Sequence, residues 1–198
     1  MHSRQSLGTG YSFRYIRKRP STADGLLLCT HLYRFKTRRN KVYLVEIEHY
    51  KNDIFVIKFY LKNHQGSDKK FNLTTKTVDN EGNTHFDNDG WRILSTCLRI
   101  MLKLRADYPL MSGGFIGANL EGEEKSCTKR FKVWSQAALT FFDPEHYNHY
   151  SNPEYSTYFI ECKKAKNPNL LEEAGKMFTE LYVDQAGLFG ENSPSRVG

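Results

Sequence analysis

Three consecutive segments decide the fold of this chain: DNDGWRILSTCLRIMLKLRADYP (residues 87–109), SGGFIGAN (residues 112–119) and SCTKRFKVWSQAALTFF (residues 126–142). The first segment repeats apolar residues at the spacing of one helix face: Leu94, Cys97, Leu98, Met101 and Leu104. This spacing predicts a helix over residues 90–107, which Pro109 ends. The short, glycine-rich second segment predicts a strand. A second helical stripe follows in the third segment: Phe131, Trp134, Ala138 and Phe141.

The segments on either side of this helix–strand–helix unit supply the rest of the fold. Five segments before the unit have the alternating or β-branched character of strands: residues 11–22, 26–35, 41–50, 54–63 and 70–76. The short turn at residues 51–53 predicts a hairpin between the third and fourth of them. After the unit we expect one strand over residues 156–163 and an amphipathic helix over residues 169–182, whereas residues 78–90 and 143–155 are expected to be loops.

The predicted fold is therefore α+β. It consists of a mainly antiparallel sheet of about five to seven strands, on which the helix–strand–helix unit and a C-terminal helix pack. We expect one domain over residues 11–184, a flexible N-terminus over residues 1–10 and a flexible tail over residues 185–198. Arg92, Thr96, Arg99 and Lys103 share a second face of the first helix, and we expect solvent to cover it.

Composition narrows the class of protein. No apolar run approaches the roughly 18 residues that span a bilayer, and the first ten residues have no apolar core of a signal peptide. The four cysteines lie far apart without a CxxC pair, which favours free thiols in a reducing cytoplasm over disulfides or a zinc site. The sequence thus predicts a cytoplasmic protein with no membrane contact and no bound metal.

The positive charge is concentrated at the N-terminal end. Residues 1–51 contain eleven Lys or Arg and three acidic residues, a net charge of +8, while the other 147 residues sum to −1. Such an asymmetry indicates an anionic partner, either nucleic acid or an acidic protein, although a solvated basic face has the same composition. The candidate binding residues are Arg14, Arg17, Lys18, Arg19, Arg34, Lys36, Arg38, Arg39 and Lys41. Aromatic residues interleave with them, and we expect these rings to stack on bases: Tyr11, Phe13, Tyr15, Tyr33 and Phe35.

A second basic cluster lies at the start of the second helix. Cations are unfavourable at the positive end of a helix, so an anion held there is one explanation for them, and ordinary surface lysines are the other. The candidate anion-binding residues are Ser126, Thr128, Lys129, Arg130 and Lys132. The spacing does not match a phosphate-binding loop of the Walker type, because Lys125 and Ser126 come two residues too late after Gly122.

Metal-dependent and nucleolytic chemistry have little support. Residues 78–90 do not follow the ligand order of a calcium loop, and His146 and His149 lie in a segment without a helix to hold them. Glu48 and His49 are adjacent on a strand and therefore face opposite sides of the sheet, so we interpret His49 as structural.

The order of elements resembles that of the GCN5-related N-acetyltransferases (GNAT), in which antiparallel strands are followed by helix, strand, helix and strand. The resemblance covers roughly residues 41–163. It implies a GNAT-like fold, a coenzyme A pyrophosphate held by the turn that enters the first central helix, and a proton-donating tyrosine on the second. Here that turn carries Asp87 and Asp89 around one glycine, and the tyrosine position matches Trp134. Residues 86–109, together with the Gly-containing strand that follows and TKRFKVW at residues 128–134, also look like those of small, uncharacterised bacterial families, which imply no function.

Two functions follow from these observations. The first is a non-catalytic binding module without a cofactor, which uses its basic N-terminal residues to contact nucleic acid or an acidic protein. One context for such a module is a hetero-complex in a larger intracellular bacterial assembly, such as a defence or toxin–antitoxin system. The alternative is a divergent GNAT-like acyltransferase that uses coenzyme A.

Overall fold

The computed structural model describes residues 10–22, 25–67, 70–71, 76–78, 84–86, 90–117, 124, 126–182 and 195–196. The fold of this described part is α+β, as the sequence predicts. The helices are α1 (Gly90–Asp107), α2 (Lys129–Phe141) and α3 (Leu170–Tyr182). The strands of the main sheet are β1 (Phe13–Pro20), β2 (Leu27–Lys36), β3 (Val42–Tyr50), β4 (Ile54–Leu61), β7 (Ser112–Ile116), β8 (Tyr147–Asn152), β9 (Thr157–Cys162) and the two-residue β10 (Ser195–Arg196). A separate two-stranded sheet pairs β5 (Lys76–Val78) with β6 (Thr84–Phe86).

The main sheet has the strand order β1-β2-β3-β4-β7-β9-β8-β10. All of its neighbouring pairs are antiparallel except β4 and β7, which α1 connects as a parallel pair. A parallel pair requires a crossover connection, usually a helix, and α1 lies in the connection between β4 and β7. The predicted hairpin is present, and in its turn, Lys51–Asp53, both Asn52 and Asp53 adopt positive φ angles, of 61° and 51°.

Helices cover both faces of the sheet. The α1 face, named for the helix on it, packs α1 and α2 against β-strand side chains that include Tyr33, Val45 and Phe115. The α3 face packs α3 against Ile54, Val56 and Phe159. The predicted stripe of α1 is buried throughout, because its 3.6-residue period presents those side chains to the sheet. No described helix is long and apolar enough to cross a membrane.

Two glycines in β7 allow close approach between layers. A Cβ at Gly114 would lie 2.7 Å from the Tyr158 carbonyl oxygen and 2.7 Å from Phe178 Cζ. At Gly113 a Cβ would lie 2.9 Å from the Phe55 carbonyl oxygen. The glycine pair of the second segment therefore serves packing between β7, its neighbouring strands and α3.

Several sequence expectations are corrected. Residues 143–155 are not all loop, because β8 lies within them and pairs along its whole length with β9. Residues 78–90 contain β6, whose partner is β5. Of the strand expected over residues 70–76, Lys70 and Phe71 lie in a turn, Lys76 begins β5, and residues 72–75 lie outside the described residues. The expected flexible N-terminus lies outside the described residues except for Gly10, as does the tail except for β10.

Candidate polyanion-binding surface and central cavity

A bulge in the edge strand β1 sets the direction of its basic side chains. Tyr15 pairs with Tyr33, but the next pair along β1 is Arg17 with Leu32, so Ile16 is an extra residue without a partner. Directly paired residues share a sheet face, and alternate residues along a strand share it too. Arg14 therefore lies on the same face of the sheet as its partner Arg34. Because of the bulge, Arg17 and Arg19 lie on that face as well.

These residues form a basic face on the α3 face of β1 and β2, defined by Arg14, Arg17, Arg19, Arg34 and Lys36. Three of the other candidates lie at the tip of the β2–β3 connection: Arg38, Arg39 and Lys41. Lys18 is the exception, because it pairs with His31 and so lies on the α1 face. The structure thus brings together eight of the nine predicted residues along one side and one end of the sheet.

The carboxylates on this face are already neutralised. Glu46 accepts from Arg19 Nη2 at 2.9 Å and from the Tyr60 hydroxyl at 3.0 Å. Glu48 forms a 2.7 Å ion pair with Lys58 and accepts from the Tyr50 hydroxyl. Among the described residues no carboxylate lies within ion-pair distance of the arginines and lysine that remain: Arg14, Arg17, Arg34 and Lys36. Of these, Arg14, Arg17 and Lys36 are exposed, so the face is positively charged at the solvent boundary.

The aromatic residues do not lie on the basic face with the arginines, which corrects the expectation that the two kinds of residue interleave on one surface. Tyr33 and Phe35 are 4% and 2% exposed, because they point into the core below α1. Tyr11 stacks on Phe35, and Phe13 packs edge-on against Tyr33. Tyr15 is 47% exposed, but it pairs with Tyr33 and therefore lies on the α1 face.

The second face of α1 is covered in part, which corrects the expectation of a solvated helix face. Thr96 is buried, and its Oγ1 accepts from the Tyr11 backbone N–H at 2.8 Å. The Arg92 guanidinium lies 5.0 Å from the Tyr11 ring centre, and Arg99 and Lys103 each lie 5.9 Å from that of Phe13. These cation–π contacts hold the start of β1 against α1.

At the start of α2, the structure uses the predicted anion-binding residues for capping. Thr128 is buried, and its Oγ1 accepts from the Phe131 N–H and donates to the Gly117 carbonyl oxygen at 2.8 Å. The Thr128 N–H donates to Ser156 Oγ at 3.0 Å. Ser126, Lys129 and Lys132 are exposed, while Arg130 is half-buried and donates to the Phe71 carbonyl oxygen. An anion site here stays a prediction, carried by the exposed lysines rather than by Thr128.

The central cavity lies where β4 and β7 separate. The two strands pair only through Ile54–Val56 and Ser112–Gly114, and both continue beyond the last pair. The gap has a volume of about 240 Å³. In α/β sheets, ligands bind outside the carboxyl ends of strands where the connections diverge, and this cavity has that position.

The lining combines aromatic rings with two cations. Phe59, Phe115 and Trp134 form the apolar wall, and Lys58 and Arg130 lie at its polar side. Trp134 lines the cavity where the resemblance implies a tyrosine; its indole N–H is a donor only and has no useful acidity. Lys58 and Phe59 are not among the residues predicted from the sequence, and the glycine-containing strand that follows the first helix was the signal that could have placed a cavity beside them.

No protein-family model, curated protein or solved structure matches the chain.

Proposed function

We propose that the chain is a nucleic-acid-binding module whose basic face contacts the phosphate backbone. The observation that carries this proposal is the bulge at Ile16, which aligns Arg14, Arg17 and Arg19 with Arg34 on one face. Guanidinium groups bind phosphate oxygens in a bidentate manner, and those of Arg14, Arg17 and Arg34, which have no ion-pair partner among the described residues, offer several such contacts. Because Glu46 and Glu48 are paired internally, they leave the positive potential of this face largely intact.

The positions of the aromatic rings predict how the protein would recognise nucleic acid. Since Tyr33 and Phe35 lie in the core, the basic face offers charge without a stacking platform. Contacts to phosphates orient a nucleic acid but carry no sequence information. We therefore expect binding that is strongly dependent on salt and weakly dependent on base sequence.

The test is the salt dependence of binding to mixed-sequence DNA and RNA oligonucleotides. Each phosphate contact contributes about 0.9 to the slope of log affinity against log salt for duplex DNA and about 0.7 for single strands. The double variant Arg14→Gln/Arg17→Gln should therefore lower the slope by about 1.4 to 1.8. The matched control is Lys164→Gln/Lys166→Gln, which removes two exposed charges from the segment between β9 and α3.

Equal effects of the two double variants would mean that net charge alone is responsible, and the proposal would be wrong. Absence of nucleic-acid binding together with binding to an acidic polypeptide such as polyglutamate would replace it with the acidic-protein partner. In that case, the same arginine variants should abolish polyglutamate binding.

A second candidate function, a GNAT-like protein that binds coenzyme A, is supported by the central cavity. Its support is the separation of the parallel pair β4 and β7 after the crossover helix α1, with the Arg130 guanidinium beside the opening. The turn that would hold the pyrophosphate includes residues 87–89, which lie outside the described residues. A ligand that binds only the folded state raises its melting temperature, so coenzyme A at about 100 times its Kd should stabilise the protein by about 2.7 kcal/mol. No shift at millimolar coenzyme A would remove this candidate.

A further inference from the structure

Three metal-ligating side chains meet on the α1 face, away from the basic face and the cavity. Cys29 and His31 are two residues apart on β2, and His49 on β3 lies directly opposite Cys29. The Cys29 Sγ is 3.6 Å from His31 Nε2 and 3.8 Å from His49 Nδ1. All three residues are buried, and one ligand atom from each lies within 4.8 Å of the other two.

These separations are close to those of a formed zinc site. A zinc ion holds sulfur at about 2.3 Å and imidazole nitrogen at about 2.0 Å, which at a tetrahedral angle puts the two ligand atoms about 3.5 Å apart. The two sulfur–nitrogen distances are slightly longer than this value. The third separation, between ligand nitrogens of the two histidines, is within 4.8 Å, so these rings must approach each other for the ion to enter.

A carboxylate supports one of the two histidines in the way that a metal site needs. His49 Nε2 lies 3.0 Å from Asp53 Oδ1, while its Nδ1 faces the thiol. A carboxylate on the far nitrogen of a ligating histidine fixes its tautomer and raises its basicity.

The Cys29 thiol is a weak hydrogen-bond partner for the imidazole of His31. For His31, Cys29 Sγ is the one hydrogen-bond partner among the described residues, and sulfur is a poor hydrogen-bonding atom. A buried imidazole that is paired only with a thiol gains more from a metal ion than from that contact. The Lys18 ammonium interacts with the Cys29 thiol and with Tyr108, so it must turn away from the thiol as a cation enters, and the exposed position of Lys18 allows this.

We propose that Cys29, His31 and His49 bind one zinc ion, with Asp53 as the positioning residue of His49. Binding replaces the Cys29 S–H bond with a sulfur–zinc bond, and the proton leaves to solvent without any change of oxidation state. Three protein ligands leave the fourth tetrahedral position for water or another small donor. The site joins β2 to β3 and is independent of the proposed nucleic-acid function.

The test uses the full chain, treated with a chelator and then titrated with Co²⁺ alone and with Zn²⁺ alone. Co²⁺ in a tetrahedral site with a thiolate gives a sulfur-to-metal absorption band and intense visible bands, which Zn²⁺ should abolish at one equivalent per chain. Cys29→Ser should lose the thiolate band, and Cys162→Ser, a buried free thiol on β9, should keep it. Asp53→Asn should keep the band and weaken zinc affinity about 10- to 100-fold.

The Co²⁺ absorption spectrum of the wild-type chain tests the proposed zinc site even if a variant does not fold. A chain that gives no thiolate band with Co²⁺, or that binds zinc with less than one equivalent at saturation, contradicts the proposal. A band that persists in folded Cys29→Ser, or that is lost in Cys162→Ser, would assign the metal to another thiol and contradict it as well. His31→Gln provides a second ligand variant, in which the band should shift and zinc affinity should fall at least as much as in Asp53→Asn.

Discussion

Arg14 on β1 lies directly opposite Arg34 on β2. Like charges at directly opposed positions of an antiparallel pair destabilise the sheet, so this pair costs stability in the free protein. An anion that bridges the two guanidinium groups would remove that cost. The pair therefore links the stability of the edge strand to the proposed binding of phosphate.

The first prediction is that Arg14→Glu stabilises the fold and weakens nucleic-acid binding. The variant turns a like-charged cross-strand pair into an opposite-charged one, which is worth about 0.2 to 1 kcal/mol. The free energy of unfolding from urea titration should rise by this amount, while affinity for an oligonucleotide should fall. The control Lys164→Glu changes the net charge equally at an exposed position and should leave both quantities almost unchanged. A loss of stability in Arg14→Glu would contradict the cross-strand placement.

The second prediction concerns the close approach at β7. In Gly114→Ala the new methyl group would meet the Tyr158 carbonyl oxygen and the Phe178 ring, each at 2.7 Å. The carbonyl belongs to a paired strand and cannot move freely, so we expect a loss of about 1 to 3 kcal/mol from overpacking. Gly66→Ala is the control, because no atom lies within 4 Å of the added carbon there. Urea unfolding of the two variants should differ clearly, and equal midpoints would refute the packing argument.

The third prediction concerns the cap of α2. Thr128→Ala removes the acceptor for the Phe131 N–H and also the donor to the Gly117 carbonyl oxygen. Loss of an N-cap costs about 0.5 to 2 kcal/mol, and the second lost bond places this variant at the upper end. Thr128→Ser keeps the hydroxyl and should cost much less in thermal or urea unfolding. Similar losses in both variants would mean that the methyl group, rather than the cap, matters.

The fourth prediction is a pH dependence from His149. Its Nε2 lies 2.8 Å from the Phe142 carbonyl oxygen, which can only accept, so Nε2 carries the hydrogen and Nδ1 accepts from the Tyr158 hydroxyl at 3.0 Å. Burial lowers the pKa of His149 in the folded state, and the nearby Lys163 acts in the same direction, against the hydrogen bond to Phe142. The neutral ring therefore contributes stability that is complete above the unfolded-state value of about 6.5 and is lost as the pH falls towards the folded-state pKa.

Urea unfolding between pH 7.5 and 5 measures this effect. The free energy of unfolding of the wild type should fall with decreasing pH, with a contribution from His149 of at most about 1.4 kcal/mol per pH unit. His149→Gln should have the smaller slope, even though it is less stable at pH 7.5. His146→Gln changes an exposed ring three residues away and should keep the wild-type slope. Identical slopes for wild type and His149→Gln would contradict the assignment.

Local sequence patterns were enough to predict the elements whose conformation depends on residues close together in the chain. The bounds of α1 at Gly90 and Asp107 follow from a helical apolar period that Pro109 interrupts. The β3–β4 hairpin follows from two alternating segments around a three-residue turn. By contrast, β8 has alternation only in Tyr147 and His149, and its strand conformation depends on pairing with β9. The cavity likewise depends on where β4 and β7 cease to pair.

The sequence by itself determined the α+β class, the helix–strand–helix unit and the concentration of positive charge in residues 1–51. The tertiary structure decided on which face of the sheet these charged side chains lie and which of them are exposed to solvent. Strict alternation along β1 would separate Arg14 from Arg17, and the bulge at Ile16 places them together. The pairing of β2 with β3 brings Cys29 beside His49, which is twenty residues away along the chain. Side-chain periodicity is a local property, whereas strand register and bulges are set by contacts between distant segments, so only the folded sheet specifies them.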